Sequence, residues 1–232
     1  GAGCVNISVT AYAKSIGPVE VSPERMDLSE IPNNQFCLPD ADSAKEAEHY
    51  LDQKIAECDS VGGVVECVIS GLPAGLGEPV FEKLDANLAK AILSIGAVKG
   101  FEIGDGFAAT KACGSENNDE FRMDGDKIVK ETNHAGGVLG GISDGSAVIF
   151  RAAFKPTPSI AKSQETVTKD GENIDLVIHG RHDPVVVPRA VVVVESMAAI
   201  TAMDMLLMSM TSRLDLIQMF FQVENVDDSP EQ

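Results

Sequence analysis

Apolar residues recur along the chain with two spacings, which predict strands and helices in irregular alternation. Residues 5–19 alternate loosely and predict a strand that ends at the Gly-Pro pair of residues 17–18. Residues 64–70 form a short apolar run that predicts the next strand. Residues 43–58 predict a helix whose buried face contains Ala44, Ala47, Leu51, Ile55 and Cys58. A second helix is expected from about Pro79 to a stop at Gly96, with a buried stripe of Phe81, Leu84, Leu88, Ala91 and Ile95.

The middle of the chain is richer in turns and polar residues. Residues 103–107 predict a tight turn between strands. Residues 113–132 are polar and predict an exposed excursion from the fold. Two further strands are expected at residues 147–154 and 173–178, around a polar hairpin at residues 162–172.

The C-terminal part predicts one long helix and a disordered end. Residues 195–219 have helical spacing, with an inward face made of Met197, Ile200, Met203, Leu207 and Met210. The acidic segment at residues 224–232 contains proline and is expected to be disordered. Because strands and helices alternate irregularly, the chain is predicted to be an α+β protein or a layered sandwich rather than a doubly wound sheet.

The charge distribution limits the partners that the chain can bind. A chain of 232 residues can bury a substantial core in one or two domains. Its net charge of −18 argues against duplex nucleic acid and anionic membrane surfaces as partners. The segment from Asn133 to Ala190 is nevertheless neutral, with six bases and six acids, and contains His134, His179 and His182. A neutral, histidine-containing region can receive an anionic ligand even in an acidic protein.

Cysteine usage and the N-terminal residues indicate a cytoplasmic setting. The five cysteines have no metal-ligand or redox spacing, so no metal site is predicted and a reducing compartment is expected. The first residues have no basic flank before an apolar core, so they do not predict a signal peptide. The apolar residues 190–210 are interrupted by Glu195 and Asp204, and are therefore not expected to span a bilayer.

The first candidate site is the glycine-rich segment at residues 133–143. Its two glycine pairs, three residues apart, allow positive φ values and a close approach of the backbone to a ligand. Backbone N–H groups in such a segment can point at a phosphate or at the polar edge of a ring. The alternative is that the glycines only permit turns between packed elements. The spacing matches neither a Walker loop nor a dinucleotide fingerprint.

The second candidate site is the five-residue turn that follows the predicted strand 147–154. Its residues are Lys155, Pro156, Thr157, Pro158 and Ser159. Two prolines stiffen the backbone and leave one ammonium and two hydroxyl groups at nearly fixed offsets. These donors suit a phosphate monoester, although the turn could also be a rigid edge turn with a solvated lysine.

The third candidate site is the Arg-His-Asp corner at residues 180–184. Arg181 can bind a carboxylate or phosphate, while Asp183 can act as a proton acceptor. Alternatively, Arg181 and Asp183 form a structural ion pair and His182 is a packed core residue. Arg189, with the carboxylates of the last helix, is interpreted as structural.

These segments, in this order, resemble the C-terminal half of chorismate synthase, over about residues 9–207. The matching segments are residues 72–81 (LPAGLGEPVF), 97–107 (AVKGFEIGDGF), 133–143 (NHAGGVLGGIS), 154–160 (FKPTPSI) and 180–189 (GRHDPVVVPR). The resemblance implies a β-α-β sandwich of antiparallel sheets around a helical layer. It also implies that residues 1–223 are the C-terminal portion of a single domain, usually assembled as a homotetramer.

The resemblance implies an enzyme that uses reduced flavin mononucleotide (FMN). The family converts 5-enolpyruvylshikimate 3-phosphate into chorismate and phosphate by a 1,4-elimination without net redox change. Matched by position, the five residues from Lys155 to Ser159 are expected to contact FMN, with Lys155, Thr157 and Ser159 near its phosphate. Gly140, Gly96 and Ala97 are expected to contact the flavin through their backbones. Arg181 is expected to bind flavin and substrate, and Asp183 to accept the substrate's proton by way of the flavin.

The sequence also departs from the family pattern. The family's N-terminal Gly-Glu-Ser-His-Gly motif and its Gly-Arg-Ser-Ser segment, which carry two catalytic histidines and several substrate-binding arginines, have no counterpart here. Val185 and Gly96 stand where cysteine and asparagine are common in the family. The alternative to a complete enzyme is therefore a truncated, inactive fragment that binds FMN or phosphate, or an assembly scaffold. NADPH is expected as a further cofactor only if the parent enzyme reduces its own flavin.

Overall fold

The computed structural model describes residues 6–180, 182–212 and 214–221. The strands are β1 (Ser8–Ile16), β2 (Val19–Glu20), β3 (Gly63–Ser70), β4 (Val98–Ile103), β5 (Phe121–Asp124), β6 (Lys127–Lys130), β7 (Val138–Leu139), β8 (Ile142–Ser143), β9 (Val148–Phe154), β10 (Gln164–Val167) and β11 (Asn173–Leu176). The helices are α1 (Ala41–Ala56), α2 (Leu84–Leu93), α3 (Gly114–Asn117), α4 (Val187–Thr211) and α5 (Leu214–Phe221). The expected disordered segment at residues 224–232 lies outside the described residues.

Five strands form the central sheet in the order β2-β1-β3-β9-β4, and every neighbouring pair is antiparallel. The other sheets in the described part of the chain are two-stranded hairpins, β5-β6, β7-β8 and β10-β11. Helices α2 and α4 pack against each other; α4 also contacts β1 and β3, and α2 contacts β4. The prediction of an α+β fold with antiparallel sheets is confirmed. In the described residues, the central sheet forms one layer, and helices α2 and α4 form a second layer packed on it.

The core lies between the central sheet and this helical layer. Alternate residues of β3 and β9 face the helices and are fully buried: Val65, Cys67, Ile69, Val148, Phe150 and Ala152. Burial, with a smaller contribution from the negative charge of Glu195, raises the pKa of Cys67 to about 12. Cys67 therefore behaves as a small apolar core residue.

The opposite face of the sheet carries a row of polar side chains in register. Tyr12 faces Glu66, Glu66 faces Arg151, and Arg151 faces Glu102 across neighbouring strands. The Tyr12 hydroxyl donates to Glu66 Oε1 over 2.5 Å, and Arg151 Nε donates to Glu102 Oε1 over 2.6 Å. Burial and the contact with Glu66 raise the pKa of Tyr12 above its usual range. These cross-strand pairs fix the register of the sheet.

Helix α1 begins two residues earlier than Ser43, its predicted start. The buried side chain of Asp40 accepts hydrogen bonds from Asp42 N over 3.0 Å and from Ser43 N over 3.3 Å, and thereby caps the helix. Asp40 also pairs with Arg25 Nη2 over 2.9 Å. The predicted inward positions of Ile55 and Cys58 are wrong, because Ile55 is half exposed at the end of the helix and Cys58, beyond the helix, is exposed.

The second predicted helix is shorter than expected. Helix α2 starts at Leu84 rather than near Pro79, because Val80 has a left-handed φ of 62° that interrupts helical geometry. Phe81, predicted to be buried, is therefore outside the helix and 85% exposed. The helix ends at Leu93, and the positive φ after it belongs to Ala97, at 71°, not to Gly96.

Helix α4 buries a different face from the one predicted. Ile200, Met203, Leu207 and Met210 are exposed, and of the predicted stripe only Met197 packs against the core. The buried residues are mainly small or β-branched: Val187, Ala190, Val191, Val194, Ala198, Thr201, Ala202 and Met205. Because α4 is apolar on nearly all sides, periodicity cannot select the buried face, and the side with smaller residues lies against the sheet.

By length and composition, α4 alone among the described helices could cross a membrane. This is weak evidence, since the core helix of a soluble protein passes the same test. Its contacts with β1, β3 and α2 are those of a core helix in this fold.

The turn-rich and polar segments predicted in the middle of the chain form a 3-10 helix and two hairpins. Residues 103–107 contain the predicted turn, but a 3-10 helix (Gly106–Lys111) follows it instead of a strand, so the prediction of a turn between two strands is wrong. Phe107 N donates to Glu102 Oε2 over 3.1 Å, which starts this helical turn. The excursion at residues 113–132 is mostly exposed, as predicted, and contains β5-β6. The predicted strand at residues 173–178 is present as β11, but it pairs with β10, so the hairpin extends beyond the predicted residues 162–172 and includes that strand.

Candidate functional site

The Lys155–Ser159 turn directly follows β9 at one end of the central sheet. Lys155 N donates to the carbonyl of Ala97 over 3.0 Å. Ala97 and Lys155 are 58 positions apart in the sequence, and the family resemblance assigns both to FMN. This bond brings them together. Ala97 makes the contact from a left-handed conformation, and such backbone strain is frequent at ligand-binding sites.

The loop at residues 59–62 packs against the Lys155–Ser159 turn. Ser60 Oγ donates to the carbonyl of Thr157 over 2.6 Å. Lys162 Nζ pairs with Asp59 Oδ2 over 2.5 Å, and the bond from Lys162 lowers the pKa of Asp59. Gly62 is so close that a Cβ atom there would lie 2.3 Å from the carbonyl oxygen of Phe154. The turn therefore has a fixed position on the loop.

The Arg-His-Asp corner reaches the same loop. Val61 N donates to the carbonyl of Pro184 over 2.8 Å, and Val61 and Val185 form a parallel bridge. Asp183 is therefore next to the loop that supports Thr157. Arg181 lies outside the described residues.

Arg189 holds the carboxylate of Asp183. Arg189 Nη1 donates to Asp183 Oδ2 over 2.7 Å. The structural ion pair considered for Asp183 is thus made with Arg189, at the start of α4. His182 is half-buried, and its Nε2 lies 3.0 Å from the carbonyl of Ile178, so this nitrogen carries the proton as donor.

Two clefts flank residues 182–184. One of about 470 Å³ is lined by Phe36, Leu51, Asp183 and Arg189, among others. The other, of about 320 Å³, is lined mainly by apolar groups and includes Ile160. Both have the size of small-molecule sites.

The donors of the turn are available to a ligand. Lys155 is exposed, and Thr157 and Ser159 are half-buried. One ammonium and two hydroxyl groups, on a backbone stiffened by Pro156 and Pro158, suit a phosphate monoester. Gly96, just before Ala97, has no heavy atom within 4 Å of a Cβ built on it, so the surface there is open.

Gly140 lies at the opposite end of the sheet. Gly137, three residues before it, packs against Ala147 and Val148 at the start of β9, whereas Lys155 follows the end of β9. The seven residues of β9 span about 20 Å at roughly 3.3 Å per residue. Within one chain, Gly140 therefore does not contact the phosphate that Lys155 is expected to bind. The role of Gly140 as a flavin contact stays a prediction.

Sequence reasoning missed three supporting residues. Ser60, Asp59 and Lys162 carry no motif, and the bond from Ser60 to Thr157 and the pair between Asp59 and Lys162 exist only through folding. Arg189 belongs to a matching segment, but was interpreted as structural because its partner was not apparent. Its spacing of six residues from Asp183, across a helix start, was the only available signal.

The chain matches a family model described as chorismate synthase over residues 3–207. It is 58% identical over 219 residues to a chorismate synthase from Lachnoclostridium phytofermentans, covering 94% of this chain and 60% of the relative. It is 60% identical over 218 residues to one from Agathobacter rectalis, covering 94% of this chain and 59% of the relative.

A solved structure titled as a crystal structure of chorismate synthase has the same fold. The TM-score is 0.72 at 29% sequence identity, and the match covers 88% of this chain and 58% of the other. The chain thus spans about three fifths of the length of the proteins that it matches.

Proposed function

The chain belongs to the chorismate synthase family, and we propose from this premise that it binds reduced FMN and acts in the elimination that forms chorismate. The substrate is 5-enolpyruvylshikimate 3-phosphate, and the products are chorismate and phosphate. The observation that carries the proposal is the convergence of Lys155, Ala97 and Asp183 on one loop, residues 59–62, at one end of the sheet.

The turn from Lys155 to Ser159 would hold the phosphate of FMN. The ammonium of Lys155 offsets the phosphate charge, and the hydroxyls of Thr157 and Ser159 donate hydrogen bonds. The bond from Ser60 to Thr157 fixes the turn before the ligand arrives, which reduces the entropy lost on binding. The donor set on this turn therefore fits the cofactor.

Ala97 and Gly96 would contact the flavin through their backbones. Their position beside Lys155 supports this, because the bond from Lys155 N holds the Ala97 carbonyl at the edge of the turn. When bound, reduced flavin supplies the transient electron density that loss of phosphate from the substrate ring requires.

Asp183 would accept the proton that leaves the substrate. In the elimination the carbon–oxygen bond to phosphate breaks, a ring proton is lost, and a second ring double bond forms, so electrons balance without net oxidation. The contact from Arg189 Nη1, over 2.7 Å, orients the carboxylate of Asp183. Arg181 is assigned to the flavin and the anionic substrate by family resemblance.

The remaining parts of the proposal concern the setting of the enzyme. We infer a homotetramer in the cytoplasm, with NADPH as a reductant only if the enzyme reduces its own flavin. The match to chorismate synthases and the neutral charge of residues 133–190 within an acidic chain support a small anionic substrate rather than nucleic acid or membrane.

Titration with FMN tests the cofactor site. The Lys155→Ala variant is expected to weaken FMN binding about tenfold or more, because a charge-assisted contact with phosphate is lost. Lys169→Ala is the matched control, since it removes the same charge from the exposed turn of the β10-β11 hairpin. Equal FMN affinity of the two variants would reject the assignment of the turn to the phosphate.

Turnover is tested by adding reduced FMN and 5-enolpyruvylshikimate 3-phosphate and following chorismate absorbance. The assay is run with the chain alone and with the region of a curated relative that the match leaves uncovered, supplied as a separate polypeptide. Asp183→Asn is expected to retain flavin binding and to slow the reaction; normal turnover would remove its proposed role. Flavin binding without turnover in either assay would favour an FMN-binding module.

A further inference from the structure

Three charged side chains are buried together beside the glycine-rich segment, and the proposed reaction uses none of them. Lys130 Nζ lies 3.1 Å from Asp119 Oδ2 and 2.7 Å from Asp144 Oδ2. The side chains are 3%, 3% and 7% exposed, in the order Lys130, Asp119 and Asp144. Burying three charges has a large desolvation cost, which must be offset by their mutual contacts and hydrogen bonds.

Asp119 holds the beginning of the glycine-rich segment. Its Oδ1 accepts from the backbone N–H of His134 over 2.7 Å and from Thr132 Oγ1 over 2.7 Å. Its Oδ2 accepts from the backbone N–H of Ala135 over 3.0 Å and from Lys130. Burial alone would raise the pKa of Asp119, but these four donors together hold it well below its usual range.

Asp144 holds the other end of the segment. It directly follows β8, and its side chain accepts from Ser146 N over 2.8 Å and from Lys130 over 2.7 Å. Its backbone N–H donates to the carbonyl of Gly137 over 3.1 Å. Lys130 therefore connects the two ends of the β7-β8 hairpin through two carboxylates.

The hairpin between these ends has little stability of its own. Its strands have two residues each, and a two-stranded hairpin is at best marginally stable in water. Its turn consists of Gly140 and Gly141, with φ values of 60° and 89°, which is the geometry of a tight hairpin turn. The flanking Leu139 and Ile142 are exposed, and Gly140 has no heavy atom within 4 Å of a Cβ built on it. The open side of the tip is thus Gly140 with Leu139 and Ile142, whereas Gly141 is buried and its carbonyl accepts from Leu84 N over 2.8 Å.

We propose that Asp119 is a positioning residue that, with Lys130, holds the β7-β8 hairpin so that Gly140 and its apolar neighbours face a ligand. This buried contact holds the base of the hairpin, while Leu84 N holds the Gly141 carbonyl at its tip and Leu76 accepts from Ser143 N over 2.9 Å. The identity of the ligand as flavin rests on the proposed function, whereas the positioning of the hairpin does not.

Hydrogen exchange of the backbone amides tests the positioning. In Asp119→Asn, the charged acceptor of His134 N, Ala135 N and Lys130 at the base of the hairpin is lost, so amides of residues 136–143 above it are expected to exchange about tenfold faster. Amides of β3 and β9 are expected to keep their protection. Asp27→Asn is the matched control, since Asp27 also accepts from a backbone N–H and a hydroxyl, both of Ser29, but at an exposed 3-10 helix.

Three further variants cover the case in which Asp119→Asn fails to fold. Thr132→Val removes one of the four donors and is expected to raise exchange of residues 136–143 roughly two- to tenfold. Lys130→Arg keeps the charge and is expected to retain wild-type exchange, whereas Lys130→Met is not. Unchanged exchange in Thr132→Val and Lys130→Met, or an equal rise throughout β3 and β9, would overturn the proposal.

FMN titration of the same variants separates this inference from the proposed function. If the wild-type chain binds FMN, Asp119→Asn is expected to bind it about tenfold more weakly while its β3 and β9 amides stay protected. Equal affinity despite faster hairpin exchange would show that the hairpin faces no flavin and would overturn the ligand part of the inference. If the wild-type chain binds no FMN, the proposed function fails, and hydrogen exchange alone still decides whether Asp119 positions the hairpin.

Discussion

Gly62→Ala tests whether the 59–62 loop fixes the Lys155 turn. A Cβ atom at this position would lie 2.3 Å from the carbonyl oxygen of Phe154 and 3.2 Å from both the carbonyl carbon of Lys155 and Pro156 Cδ. The closest of these neighbours is a backbone atom, so the strand end and the turn must move by nearly 1 Å to restore van der Waals contact. Gly62 has no left-handed φ, so the effect is steric rather than conformational.

Overpacking of this kind costs about 1–3 kcal/mol. A loss of about 2 kcal/mol lowers the melting temperature of a protein of this size by roughly 4–8 °C. The displaced turn is also expected to bind FMN more weakly, since its donors no longer keep their preset positions. Calorimetry and FMN titration measure the two effects separately.

Gly114→Ala is the matched control for Gly62→Ala. It makes the same chemical change at the start of α3, where no heavy atom lies within 4 Å of the added Cβ and φ is not left-handed. Alanine at such an exposed helical position is expected to leave stability unchanged or slightly higher. If both variants melted within about 1 °C of each other, the close contact between the loop and the turn would be refuted.

Three further predictions concern stability and reactivity. Asp40→Ala removes the cap of α1 and the partner of Arg25, and is expected to cost about 2–4 kcal/mol in urea denaturation; a loss below about 0.5 kcal/mol would contradict the capping role. The pKa values of Asp40 and Asp119 are held below their usual range by hydrogen bonds that together outweigh burial, so these groups stabilise the fold above about pH 4. That contribution, about 1–2 kcal/mol for each, is lost as pH falls through the folded pKa values, and equal urea midpoints at pH 7 and pH 2.5 would exclude it. Cys67, buried and with a pKa raised to about 12, is expected to resist alkylation at pH 8 while exposed Cys58 reacts, as mass spectrometry of the labelled protein can determine.

The candidate site shows how far sequence reasoning extends. The stiff turn at residues 155–159 was identified from two prolines and three donors, which are local properties. Only the family resemblance predicted that this turn and Ala97 lie close together. In the structure they are in contact through the bond from Lys155 N to the Ala97 carbonyl. Arg189 was judged structural because nothing in its local sequence indicates that it pairs with Asp183.

The glycine-rich segment illustrates a different limit. Its sequence predicts tight turns, and Gly140 and Gly141 adopt the positive φ values that such turns need. Sequence alone did not reveal that the segment lies at the other end of β9 from Lys155. Nor did it reveal that Asp119, within a polar stretch predicted to be exposed, is buried and binds the start of the segment.

The sequence by itself determined the class of fold, the positions of β1, β3 and β9 in the central sheet, and the short motifs that identify the family. These properties depend on neighbours within a few residues, which a pattern of apolar and polar positions records directly. The tertiary structure alone decided which side of α4 is buried, where α2 begins, and which distant groups meet around residues 59–62. The reason is that α4 is apolar on nearly every side, so only the shape of the sheet against which it packs can choose among its faces.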